Sequence, residues 1–97
     1  MEVRMQIRLF LLEDDAALTD GLSYSLRRQG YLLETAGTIS EAKEKLQNRQ
    51  YDLLLLDVTL PDGTGFAVCD WLRARANHVP IIFLTALDDE VNMVRGL

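Results

Sequence analysis

The chain is poor in the residues that would cross-link, anchor or divide it. Its single cysteine, Cys69, cannot form an internal disulfide, and we expect a reducing compartment, the cytoplasm. The N-terminus has no apolar run of signal-peptide length, and no segment reaches the roughly 20 apolar residues of a membrane span. Neither a repeat nor a Pro/Gly-rich linker divides the 97 residues, which predicts one domain over residues 1–97.

Positive charge is also scarce. Ten basic and fifteen acidic residues give a net charge of −5. This balance argues against a broad surface that binds nucleic acid or a membrane. It is compatible with a cation site, and a local cluster of acids favours one.

Short apolar runs alternate with helical patterns along the chain. The predicted strands are residues 7–12, 31–36, 53–57 and 79–85. The predicted helices are residues 16–29, 41–50 and 65–76, with a last one from residue 88 or 89 to 97. This alternation predicts a parallel sheet covered by helices on both faces. With right-handed crossovers, we expect a flavodoxin-like, doubly wound α/β fold with the strand order 2-1-3-4.

Residues with suitable side chains mark where two of these helices begin or end. We assign the N-cap of the first helix to Asp15 and that of the second helix to Ser40. Gly30 fits the position just after the first helix, because glycine tolerates the left-handed backbone found there.

Acidic residues follow two of the predicted strands. Glu13 and Asp14 come directly after the first predicted strand, and Asp57 is the last residue of the third. In the order 2-1-3-4 these strands are neighbours, so the three carboxylates should converge. Carboxylates held close together repel one another, and a cation among them compensates this repulsion. Mg²⁺ suits the role because it prefers hard oxygen ligands. We predict Mg²⁺ bound directly by Asp14 and Asp57, through water by Glu13, and by the carbonyl of Thr59.

The same acids have simpler interpretations. Asp57 alone is equally compatible with a solvated side chain that begins a turn, and Asp14 or Asp15 with a helix cap. Thr85 follows the fourth predicted strand at the same edge of the sheet, where a hydroxyl can bond a phosphoryl oxygen and the small Ala86 leaves room. The alternative for Thr85 is a β-branched residue that ends a strand.

Three segments, in this order and spacing, resemble the receiver domain of two-component response regulators: LFLLEDD, LLLLDVTLPDGTGF and PIIFLTA. The form LPDGTGF with a Glu-Asp pair resembles the OmpR-type subfamily, whose output domain is a winged helix. The resemblance covers residues 7–97. It implies that Asp57 is the phosphoacceptor, that Glu13 and Asp14 hold Mg²⁺, and that Thr85 is the switch hydroxyl that moves toward the acyl phosphate.

The resemblance also implies partners. A sensor histidine kinase would supply the phosphoryl group, and a DNA-binding output domain would regulate transcription. The receiver itself would contact neither nucleic acid nor membrane. Receivers of this kind continue through a fifth strand that begins with Lys-Pro, and then a fifth helix. In such receivers that Lys contacts the phosphoryl group. This sequence ends at Leu97, and Lys43 and Lys45 cannot replace the missing Lys, because they lie on the second predicted helix. We therefore expect a C-terminally incomplete receiver without an output domain.

Two other functions compete with the phosphoacceptor. One is an interaction or dimerisation module without phosphotransfer. The other is a Mg²⁺-dependent phosphatase with an aspartyl nucleophile. Such enzymes typically carry a general acid two residues later, where this chain has Thr59, so we predict that the chain is not an enzyme.

Without a fifth strand, the fourth predicted strand becomes an apolar, uncharged edge of the sheet. We therefore predict self-association through that edge, by strand pairing or by exchange of an element between chains.

Overall fold

The structure, a computed structural model, describes residues 6–84. Its strands are β1 (Arg8–Leu12), β2 (Leu32–Ala36), β3 (Leu53–Asp57), β4 (Thr59–Leu60), β5 (Gly63–Thr64) and β6 (Ile81–Leu84). Its helices are α1 (Ala16–Arg28), α2 (Ile39–Asn48) and α3 (Gly65–Ala74). The helix predicted toward residue 97 lies outside the described residues. Within residues 6–84, no helix is both long enough and apolar enough to cross a membrane.

Four parallel strands form the main sheet in the order β2-β1-β3-β6. Since β6 is the fourth strand predicted from the sequence, this confirms the predicted order 2-1-3-4. In the register of the two central strands, Phe10 lies beside Leu54 and Leu12 beside Leu56. The small antiparallel hairpin β4-β5, which pairs Thr59 with Thr64, was not predicted.

Both faces of the sheet are covered by helices. On one face, α2 and α3 bury a core against β1 and β3, made of Phe10, Leu12, Leu54, Leu56, Ala42, Leu46, Val68 and Leu72. On the other face, α1 places Leu22 and Leu26 against Leu9, Leu11 and Leu33. Strand side chains alternate between these two cores, as they must in a sheet buried on both sides. The flavodoxin-like fold class is confirmed.

The caps of the first two helices differ in how well the sequence predicts them. Asp15 caps α1 as expected, because its carboxylate accepts the N–H of Leu18 at 3.1 Å. The expected cap of α2, Ser40, is wrong. Thr38 is the cap and accepts the N–H of Glu41 at 3.1 Å. Helix α2 thus begins two residues earlier than predicted. Ile39 is therefore its first residue, and this side chain is buried.

Helices α1 and α3 end in different ways. Gly30 follows α1 with φ +96°, as predicted, and glycine adopts this conformation without steric conflict. After α3 the left-handed position is held by Ala76, with φ +61°. The N–H of Asn77 bonds the carbonyl of Leu72 at 2.9 Å and closes the helix end. A residue with a Cβ is strained there, so the end of α3 is less favourable than the end of α1.

Aromatic side chains connect α3 to its neighbours. Phe66 packs against Phe83 of β6 with 4.7 Å between ring centroids. The Lys43 ammonium of α2 lies 5.5 Å from the ring centroid of Trp71, and the Arg75 guanidinium lies 4.8 Å from it. Cations over an indole ring contribute a modest attraction, so Trp71 helps to hold α2 and α3 together.

Candidate metal centre

The carboxyl ends of β1 and β3 bring three acids to one place. Glu13 and Asp14 follow β1 directly, Asp57 is the last residue of β3, and the two strands are neighbours in the sheet. One carboxylate oxygen from each of the three lies within 4.8 Å of the others. The structure thus brings together the three carboxylates that the sequence predicts to converge.

Glu13 is the buried member of this cluster, with 7% of its surface exposed. Its carboxylate accepts the N–H of Asp15 at 3.0 Å, and its own N–H donates to the carbonyl of Ala36 at 3.0 Å. Burial is the main cause that raises the pKa of Glu13 to about 7, and the charge of Asp57 adds to it. The ionised form of this side chain is therefore unfavourable in the absence of a cation.

Asp57 is half-buried and is held by the backbone that follows it. Its Oδ1 accepts the N–H of Val58 at 2.8 Å, and the N–H of Thr59 also bonds the carboxylate. The pKa of Asp57 is raised, chiefly by burial and also by the charge of the exposed Asp14, although these backbone N–H groups oppose the rise. Two of the three clustered carboxylates therefore resist ionisation where they lie.

No basic side chain among residues 6–84 neutralises the cluster. The salt bridges in this part of the chain join Lys45 to Glu41 and Arg49 to Glu34, away from the three acids. A divalent cation with oxygen ligands would relieve the repulsion, and a compact set of carboxylates suits Mg²⁺. The residues present therefore fit a magnesium ion.

The backbone after Asp57 approaches it very closely at Gly65. A Cβ at Gly65 would lie 2.1 Å from the carbonyl oxygen of Asp57, so only glycine fits. The N–H of Gly65 also donates to the carbonyl of Val58 at 2.9 Å. This contact was not predicted, because a glycine at position 65 indicates it only once the packing of α3 on β3 is known.

The geometry brings three of the predicted site residues together without testing their roles, and it leaves two others aside. Thr59 is exposed in β4, and binding of a metal by its carbonyl stays a prediction. Thr85 lies outside the described residues, and its role as a switch hydroxyl stays a prediction as well.

Comparison with known proteins identifies the class to which this site belongs. Residues 9–97 match the family described as the response regulator receiver domain. The chain belongs to this family. Receiver domains of response regulators are signalling modules that receive phosphoryl groups from histidine kinases, and they bind Mg²⁺ in an acidic pocket that here corresponds to Glu13, Asp14 and Asp57.

Individual relatives agree with this assignment. The transcriptional regulatory protein AfsQ1 of Streptomyces coelicolor is 43% identical over 89 residues, which cover 92% of this chain and 39% of AfsQ1. The non-phosphorylated HemR receiver domain from Leptospira biflexa has a TM-score of 0.82 and 36% identity, and the match covers 94% of this chain and 73% of the chain in that structure.

A third relative bears on the metal. The receiver domain of the sensor histidine kinase PA1611 from Pseudomonas aeruginosa has a TM-score of 0.82 and 28% identity, over 96% of this chain and 80% of that one. Its structure contains a magnesium ion coordinated in the active site cleft. The chain spans about two fifths of the length of the curated relatives it matches.

Proposed function

We propose that this chain is the phosphoacceptor module of an OmpR-type response regulator and that Asp57 accepts the phosphoryl group. The observation that carries the proposal is the convergence of Glu13, Asp14 and Asp57 at the carboxyl ends of two neighbouring strands. This edge is where open α/β sheets bind their ligands. The whole of residues 1–97 would act as one receiver unit.

The reaction is a transfer between two nucleophiles. An oxygen of the Asp57 carboxylate forms a bond to the phosphorus of a phosphohistidine on the kinase. The bond from phosphorus to the histidine nitrogen breaks, and the nitrogen keeps the electron pair. The product is an acyl phosphate on Asp57. A carboxylate is a weak nucleophile, so the transfer depends mainly on positioning and on neutralisation of charge.

The residues around Asp57 supply the positioning. The N–H of Val58 holds Oδ1 at 2.8 Å, which fixes the orientation of the carboxylate. Asp14, Asp57 and the carbonyl of Thr59 would hold Mg²⁺ directly, and Glu13 would hold it through water. When bound, the ion supplies positive charge next to the phosphoryl oxygens.

The response to phosphorylation would use residues and partners beyond this site. Thr85 is proposed as the hydroxyl that bonds the phosphoryl group and changes the loop after β6. The longer relatives include transcriptional regulators. We therefore propose that a sensor histidine kinase in the cytoplasm is the donor and that a DNA-binding output domain is regulated. The receiver itself would contact neither DNA nor membrane.

Beryllofluoride, which mimics a phosphoryl group on a carboxylate, tests the assignment. With Mg²⁺ present, we expect beryllofluoride to bind the unmodified chain and not the Asp57→Asn variant, because a neutral amide cannot replace the carboxylate as its ligand. Asp52→Asn is the matched control, since Asp52 is exposed at the opposite edge of the sheet and bonds the N–H of Arg8. Binding to the Asp57→Asn variant would refute Asp57 as acceptor.

An interaction module without phosphotransfer is the alternative function. Mass spectrometry after treatment with acetyl phosphate and Mg²⁺ separates the two. The phosphoacceptor gains one phosphoryl group, whereas the pure interaction module gains none. A phosphoryl group found on a residue other than Asp57 would contradict the proposed site.

Self-association through β6 is a separate proposal. Within residues 6–84, β6 pairs only with β3, and its sequence Ile81–Leu84 carries no charge. Ile82 is 49% exposed on this strand. Such an edge favours pairing with a second copy of the chain. We expect dimers in sedimentation at micromolar concentration and monomers for Ile82→Lys. An unmodified chain that is monomeric, with slowly exchanging β6 amides, would contradict the proposal.

A further inference from the structure

We propose that Asp62 is a positioning residue for the site, because it fixes the loop that follows Asp57 onto the N-terminus of α2. The inference rests on the proposed phosphoacceptor function for its consequence, but the contact itself is independent of that function. Asp62 lies at the turn of the hairpin β4-β5, and its partners are 23 and 22 positions earlier in the chain.

Both oxygens of the Asp62 carboxylate are used. Oδ1 accepts the N–H of Ile39 at 2.8 Å, and Oδ2 accepts the N–H of Ser40 at 3.1 Å. These are the first two N–H groups of α2, which have no partner within the helix. The contact lowers the pKa of Asp62, chiefly through the Ile39 N–H, so the carboxylate is ionised at neutral pH. Two bonds from one carboxylate fix the orientation of the turn relative to the helix.

Apolar packing supports the same contact. A Cβ at Gly63 would lie 2.7 Å from the Cδ1 of Ile39, and Gly63 has φ +149°, a conformation that favours glycine. Leu60 of the hairpin and Ile39 of α2 are buried in one core cluster. The turn therefore lies against the first residue of α2 through both polar and apolar contacts.

The other end of the hairpin holds the phosphoacceptor. The N–H groups of Val58 and Thr59 bond the carboxylate of Asp57, and the Gly65 N–H bonds the carbonyl of Val58. The hairpin thus connects Asp57 at its base to α2 at its turn. If the turn were released, the hairpin would lose its attachment to α2. The backbone that orients the Asp57 carboxylate and carries the Thr59 carbonyl would then be held less firmly.

Helix α2 already has a cap of its own. Thr38 accepts the N–H of Glu41 at 3.1 Å, and the Glu41 carboxylate accepts the N–H of Gly37 at 3.0 Å. Both contacts are local to the start of the helix and do not touch the hairpin. Thr38 and Asp62 therefore bond different N–H groups of the same helical turn, and of these two residues Asp62 alone joins that turn to the site.

This difference defines a matched pair of variants, Asp62→Ala and Thr38→Ala. Each removes bonds to the first turn of α2, and each should lower the melting temperature. Because release of the turn would loosen the backbone that positions the Asp57 carboxylate and the Thr59 carbonyl, we expect Asp62→Ala to reduce Mg²⁺ affinity by about tenfold, the size typical of substitutions that act on metal ligands indirectly. Thr38→Ala should leave the affinity within about twofold, since its effect stays within α2.

Amide exchange provides a readout that needs no metal. The Val58 and Gly65 N–H groups should exchange faster in Asp62→Ala and at the unmodified rate in Thr38→Ala. Asp62→Asn keeps one acceptor oxygen and should restore part of the protection. Equal changes in Mg²⁺ affinity for the Ala variants, or unchanged exchange at Val58 in Asp62→Ala, would overturn the inference. If the unmodified chain bound no beryllofluoride, the proposed function would fail, and the exchange rates would still decide the role of Asp62.

Discussion

Acidic residues have opposite surroundings at the two ends of the parallel strands, the amino edge and the carboxyl edge of the sheet. Toward the amino edge, the carboxylates of Asp52 and of Glu34, the central residue of β2, each have a partner. Glu34 accepts the hydroxyl of Tyr51 at 2.6 Å and lies 3.6 Å from Arg49, and Asp52 accepts the N–H of Arg8 at 2.7 Å. Burial, and next to it the bond to Glu34, raises the pKa of Tyr51, which keeps the phenol protonated as the donor.

At the carboxyl edge the acids have mainly one another. Glu13, Asp14 and Asp57 lie together, no basic side chain of residues 6–84 forms a salt bridge with them, and burial raises the pKa of Glu13 and of Asp57. Acids at the amino edge therefore stabilise the fold, whereas acids at the carboxyl edge oppose it until a cation binds. Unfavourable electrostatics confined to one edge are typical of a functional site.

The largest change in stability is expected when the metal is added, because the metal acts at the carboxyl edge only. Mg²⁺ at about a hundred times its dissociation constant should raise the free energy of unfolding by about 2.7 kcal/mol, because it binds the folded state alone. Urea unfolding with and without MgCl₂ measures the gain. NaCl at matched ionic strength is the control, since it only screens the repulsion. Equal gains from both salts would show that no specific metal site exists.

The pH dependence of the metal-free protein is next in size. Glu13 keeps its proton up to a pKa of about 7 in the folded state, whereas the ordinary value is 4.5. Between these values the folded state binds more protons than the unfolded state, so its stability falls as pH rises. We expect a loss of about 1 to 2 kcal/mol from pH 5 to pH 7.5, reduced from the full linkage value by solvent around the cluster.

The variant Glu13→Gln is the control for that titration. It removes the titrating group and keeps an acceptor oxygen, so its stability should change much less over the same pH interval. A slope that is identical in Glu13→Gln would assign the pH dependence to other groups. Unfolding in urea at several pH values, without metal, gives the comparison.

Replacing an Asp by Asn should change the free energy of unfolding in opposite directions at the two edges. Without metal, Asp57→Asn should stabilise the protein by about 1 kcal/mol at pH 7.5, because it removes a charge from the cluster and keeps an acceptor for Val58. Asp52→Asn should destabilise it by about 0.5 kcal/mol, because a neutral oxygen accepts the Arg8 N–H less strongly. Changes of the same sign would mean that the edges do not differ.

The smallest effect concerns the backbone at the amino edge. Ala76 has φ +61°, and relief of its steric conflict by glycine outweighs the greater flexibility of glycine in the unfolded chain. We expect Ala76→Gly to stabilise the protein by about 0.5 kcal/mol, whether or not Mg²⁺ is present. A gain that depended on Mg²⁺ would show that this edge is coupled to the metal. Thermal unfolding in both conditions provides the measurement.

Much of the architecture could be predicted because it depends on local patterns. Continuous apolar runs such as Leu53–Leu56 identify strands buried on both faces, and the alternation with helices limits the strand order. The convergence of Glu13, Asp14 and Asp57 then follows from the order alone. The local cap of α1 by Asp15 was equally accessible, because a cap acts within three residues.

What the sequence did not predict depends on contacts between distant segments. Asp62 reaches N–H groups more than twenty positions away, and nothing in LPDG distinguishes this role from an ordinary turn. The close approach of Gly65 to Asp57 depends likewise on how α3 packs against β3. The start of α2 was misplaced for a different reason, because a local signal was overlooked. Glu41 lies three residues after Thr38, which is the pattern of a capping box, whereas Lys43 lies three residues after Ser40.

The contact between α2 and α3 also gives the protein its own optical reporter. Trp71 is the only tryptophan in the chain, and it is half-buried, with the charges of Lys43 and Arg75 over its ring. Its fluorescence therefore originates from a single environment, on the helix that begins directly against Asp57. Unfolding transfers the indole to water and removes both cations, so the emission spectrum should shift without any added dye. Separation of α2 from α3 would change the same signal, in a protein that is otherwise still folded.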